Sequence, residues 1–138
     1  MTFKFEKLEI WKLSVEYIDL IYEISNQLPK SEDYNLKSQI RRASTSIALN
    51  IAEGSTGQSN PEQSRFLSIA LRSLYETVAC LHLIKRHNYS KNSELLIQAY
   101  KQAETLACKI QAMRKYLLNS SESVRDQQEE IYLANDDL

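Results

Sequence analysis

Two prolines and two glycines punctuate 138 residues, and all four (Pro29, Gly54, Gly57, Pro61) fall between apolar periodic segments. A sheet needs many turns, and so few turn residues do not supply them. Leu, Ile, Ala, Glu, Lys and Gln dominate instead, and β-branched alternating runs are scarce. That composition favours helix. A chain of this length forms one domain and buries its core without staples. No apolar run approaches the ~20 residues of a membrane span, so no membrane partner is expected. The opening MTFKFEKLEIWK is charged throughout, like neither a secretory signal nor a lipidation site. A cytoplasmic protein is the expectation.

Periodicity predicts four helices. The first runs over 8–28 and stops at Pro29. The second runs over 36–54, with Asn35 as N-cap and Gly54 in the left-handed position that closes a helix. The third opens at Asn60-Pro61-Glu62 and continues to about His87. The fourth is capped by Ser90 or Asn92 and ends near Leu118. Four helices joined by short turns give an antiparallel up-down-up-down four-helix bundle over 1–118. Residues 119–138 carry six acids and one base, a net −5. They read as a disordered acidic C-terminal tail, beside a body with sixteen bases and twelve acids, +4.

The first helix has too much apolar surface for one bundle. At 100° per residue its apolar side chains cover about 240°, against an ordinary stripe of about 100° or a little more. The surplus predicts a subunit interface through Leu13, Tyr17, Leu20 and Ile24, and hence a homo-oligomer.

Antiparallel topology gathers Lys37, Arg41, Arg42, Lys85, Arg86 and Lys91 at the end that holds the first and third turns, near Tyr34 and Tyr89. Phosphate attraction adds over such contacts, and tyrosines stack on bases. RNA or DNA is one candidate partner. Cations set against helix C-terminal dipoles on an ordinary bundle end explain the same residues. Arg42 and Glu76 fall about one turn apart on facing helices and read as an ion pair that fixes register. Glu53 and Asn50 are further structural polar positions.

Chemistry is hard to find. No Walker, dinucleotide, nucleophile-elbow or zincin motif occurs. His82 and His87 lack the Glu-x-x-His partners of a bundle metal site, so no metal and no cofactor are expected. Cys80 and Cys108 fall roughly 15 Å apart along the bundle, too far for an intrachain disulfide. Ser44, Thr45 and Ser46 have no nearby base, and no catalytic residue is assigned.

The blocks QIRRASTSIALNIAEG (39–54) and RFLSIALRSLYET (65–77), with the opening F-x-x-L-x-I-W at 5–11 and the turn LPKSEDYNL at 28–36, carry a resemblance. Together they resemble the family of bundle proteins encoded in intervening sequences of bacterial 23S ribosomal RNA genes. The resemblance covers Phe5 to about Tyr89. It implies a closed four-helix bundle assembling as a ring, commonly a homopentamer, with a non-enzymatic structural or adaptor role. A more distant branch of similar, strongly basic bundles assists retroelement reverse transcriptases and binds nucleic acid. The family has no catalytic residues to carry over.

Overall fold

A computed structural model describes residues 3–57 and 59–119. Four α-helices account for most of them: α1 (Glu9–Ser25), α2 (Leu36–Gly54), α3 (Asn60–Arg86) and α4 (Ser93–Asn119). No strand occurs among the described residues. Short 3-10 turns at Lys4–Lys7 and Lys30–Glu32 precede α1 and α2. The predicted acidic tail from Ser120 onward lies outside the described residues.

Each helix packs on its sequence neighbour, and α1 closes the square against α4. The contacts run antiparallel. Gly54 meets Phe66 while Ser73 donates to Ser46 at 2.9 Å. His82 faces Tyr100 across the α3–α4 seam, and Lys109 pairs with Glu9 at 3.2 Å. The core is a continuous stack of Ile21, Ile24, Ile40, Ile47, Ile51, Leu67, Leu74, Ile84, Leu106 and Ile110.

The helix ends follow local chemistry. Ser59, one residue before the predicted Asn60, caps α3 by accepting from the Glu62 amide at 3.2 Å, with Pro61 just inside. Asn92 accepts from the Leu95 amide at 3.1 Å and caps α4. Asn35 makes no side-chain cap on α2; the Glu32 carboxylate approaches the Leu36 amide at 3.4 Å instead. Gly54 is not the left-handed residue. It remains helical and is buried, and the positive φ of 82° belongs to Gly57 in the loop. Gly54 serves proximity: a Cβ there would stand 2.8 Å from Phe66 Cβ.

The wide apolar arc of α1 is largely consumed within its own chain. Trp11 packs edge-on against Phe5 of the preceding 3-10 turn, ring centres 4.6 Å apart. Tyr17 crosses the core to α3, its hydroxyl 2.7 Å from Thr77 Oγ1. The Thr77 proton is directed at the Leu74 carbonyl, 2.6 Å away, so Tyr17 donates.

That hydroxyl pair gives a pH-dependent expectation. Burial pushes the Tyr17 phenol from 10.0 up to about 12. An unfolded chain ionises this group near 10, so the stability from its burial is complete below that pH. It is lost as pH rises to 12, by roughly 2–3 kcal/mol. Tyr17→Phe should cost about 1 kcal/mol at neutral pH yet lose less between pH 10 and 12. Urea denaturation at several pH values measures both. Equal alkaline losses in the two proteins would remove Tyr17 as the source.

Candidate functional site

The basic end forms where the first and third turns meet. Ser90 donates to the Gln27 side-chain oxygen at 2.6 Å, tying the two turns together. Lys30, Lys85, Arg86 and Lys91 are exposed around this contact, and Tyr34 is 99% exposed. Asn88, in the left-handed region at φ 55°, turns the chain so that His87 and Tyr89 stack with ring centres 5.5 Å apart.

Two of the six predicted cations are engaged within the fold. Arg41 Nε donates to Ser25 Oγ at 2.7 Å, its Nη2 donates to Asn26 Oδ1, and its guanidinium lies 4.8 Å over the Tyr22 ring. It clamps the C-terminus of α1 to α2. Lys37 pairs with Asp33 one turn back at 3.6 Å. Arg42 is exposed on the outer face of α2, with Nη2 3.5 Å from Ser38 Oγ. Its predicted ion pair with Glu76 is not formed. Similar height on neighbouring helices is not enough, because both side chains must also turn toward the shared seam.

The predicted interface set also needs correction. Tyr17, Leu20 and Ile24 are buried inside their own chain, and Leu13 packs partly against the same core. What α1 leaves open is a different row: Val15 and Tyr22 exposed, with Ile18 half-buried between them. Beside Tyr22 on the outer face of α2 lies Leu49, 59% exposed, in a shallow groove bordered by Arg42 toward one end and Glu53 toward the other. Sequence periodicity points to too many apolar positions on α1. It does not reveal which of them reach the opposite helix.

Asn50 lies on the groove wall facing α3. Its Nδ2 donates to the Ser46 carbonyl at 2.8 Å and Ser46 Oγ at 3.0 Å, and Ser73 donates to the same hydroxyl. Through the Ser73–Ser46 bond this polar chain joins α2 to α3. Ser44 is buried and bonded to the Arg41 carbonyl at 3.0 Å, as a helical packing residue.

Burial, helped by the Glu76 charge, pushes the Cys80 thiol up to about 11. Cys80 and Cys108 are both free. A thiol held protonated and buried is a poor nucleophile. Native Cys80 is therefore expected to react with iodoacetamide much more slowly at pH 8 than in urea, by mass spectrometry of the quenched protein. No group of three metal-ligating side chains stands together among the described residues. α3 is long and apolar enough to cross a membrane by length and composition, yet Leu67, Leu74 and Ile84 on it are core residues.

A family model described as 23S rRNA-intervening sequence protein matches residues 6–112. The match runs from the first 3-10 turn through most of α4, further than the sequence blocks at 5–89. No curated protein matches the chain.

Proposed function

The chain belongs to the 23S rRNA-intervening sequence protein family, and from that premise we propose a non-enzymatic scaffold built by self-association of the bundle. Identical copies join side by side into a closed ring and present their ends to a partner. One observation carries this reading: Leu49, in the same groove as Tyr22, is a large apolar side chain that its own chain leaves uncovered. A ring needs two different patches on each copy, so that each subunit's groove meets another surface of the next. The exposed Ile97 on α4, in a shallow groove with Gln98 and Lys101, offers such a second patch. Light scattering on the eluting protein at micromolar concentration tests the assembly. The expected mass is a multiple of 16.0 kDa, with five copies favoured by the family resemblance. A monomer would refute it.

A second reading is favoured by the end itself. Exposed Lys30, Lys85, Arg86 and Lys91 surround the stacked His87–Tyr89 pair, which suits a nucleic-acid phosphate backbone. The groups that the fold occupies, Arg41 and Lys37, contribute less. Binding of RNA or DNA at low salt, weakened in a Lys30→Ala/Lys91→Ala variant, is the expected result. No binding by the full chain would dismiss this reading.

A further inference from the structure

Arg65, Arg72 and Arg86 recur on α3 at multiples of seven residues, with Ala79 completing the row, and all four are exposed. Three residues on from Arg72 and Ala79, a second row holds Tyr75 and His82, also exposed. Seven residues is just under two helical turns, so each row climbs the outer face of the helix at about 10.5 Å per step. The rows are adjacent, because positions three apart are neighbours on a helix.

Tyr75 is 54% exposed. It lies on the side of α3 that faces the α4 seam, where His82 meets Tyr100 edge-on at 6.0 Å. Lys85 and Tyr100 border a groove in that seam. The bordering acids are Glu76, toward α2, and Glu104 on α4; Glu62 lies in the first turn of α3. Cations therefore outnumber acids along the strip, and aromatic rings alternate with them.

We propose that the outer face of α3 is a track for single-stranded nucleic acid, with Arg65, Arg72 and Arg86 meeting phosphates while Tyr75 and His82 stack on bases. A duplex hides its base faces, so exposed rings beside arginines gain most from an unpaired strand. The track rests on the nucleic-acid reading above but lies along the bundle rather than at its end. It also uses cations that sequence reasoning, focused on the turns, passed over. Arg65 and Arg72 sit too far from the first and third turns to register there.

Fluorescence anisotropy of the full chain with labelled oligouridylate tests it. Tyr75→Ala should weaken binding roughly tenfold, the loss of one stacked base, and Tyr75→Phe should restore it. Arg72→Ala/Arg86→Ala should flatten the dependence of log affinity on log salt by about 1.4, two single-strand phosphates. A paired duplex of the same length should bind more weakly. Unchanged affinity in Tyr75→Ala overturns the track. If the Lys30→Ala/Lys91→Ala variant alone then loses binding, the end reading survives without it. Equal competition by polyglutamate, indifferent to Tyr75, assigns the face to acidic protein and also overturns the proposal. No binding at low salt removes both.

Discussion

Gly54→Leu is expected to lower the melting temperature by about 10 °C or more, the largest single-site loss foreseen on the helix surfaces. The glycine lies where α2 packs against the start of α3, and any Cβ there collides with Phe66 Cβ at 2.8 Å. The contact is between two Cβ atoms, so no flexible tip can swing aside and the helices themselves must separate. Overpacking of this kind costs roughly 1–3 kcal/mol for one added group, and a leucine adds several. A loss of roughly 3 kcal/mol corresponds to about 10 °C in a chain of this size. Gly54→Ala should lose less, because alanine regains about 1 kcal/mol of helix propensity. Thermal unfolding followed by circular dichroism decides it. A leucine variant melting with the parent would show that the 55–59 loop yields freely.

Leu49→Asp is expected to break the assembly and leave the bundle folded. The side chain is 59% exposed in the single chain, so a carboxylate there stays in water and helical content should not change. In the proposed ring the same carboxylate meets an apolar surface with no partner. Burying an unpaired charge costs several kcal/mol, enough to weaken each contact by about a hundredfold or more. Every interface of a ring repeats the change. Sedimentation at micromolar concentration should give a monomer with an unaltered far-ultraviolet spectrum. Ile24→Asp serves as the contrast: its side chain is fully buried, so the chain should unfold rather than dissociate. An intact oligomer in Leu49→Asp would move the interface off this groove.

That contrast marks where sequence reasoning reaches its limit. The helices, turns and unpaired cysteines were legible because prolines, caps and apolar spacing act locally. Azimuth across the bundle is not local. A wheel drawn on α1 places Tyr17, Leu20 and Ile24 in a broad apolar arc, but it does not show that Tyr17 reaches Thr77 on the diagonal helix. Nor does it show that Phe5, outside α1, folds back on Trp11. Arg41 and Arg42 look equivalent in sequence. One helical step of 100° turns the first toward Ser25 and Tyr22 and leaves the second in solvent. Gly54 was correctly read as a helix terminus but for a backbone reason, whereas the neighbouring Phe66 is what demands it. The heptad of arginines on α3 was present in the sequence throughout. Helical spacing already puts it on the side of α3 that carries Tyr75, and the burial pattern shows that side to be open.

The Glu9–Lys109 contact places the start of α1 and the last turns of α4 at the same pole, while the Gln27–Ser90 contact marks the other. A fluorescent dye or affinity handle attached at the exposed Lys4 or Asn119 would therefore crowd one rim only. The opposite rim, with Lys30, Tyr34 and Lys91, would stay unobstructed in a doubly labelled molecule, so a capture resin or a microscope grid could hold the protein with that rim facing outward.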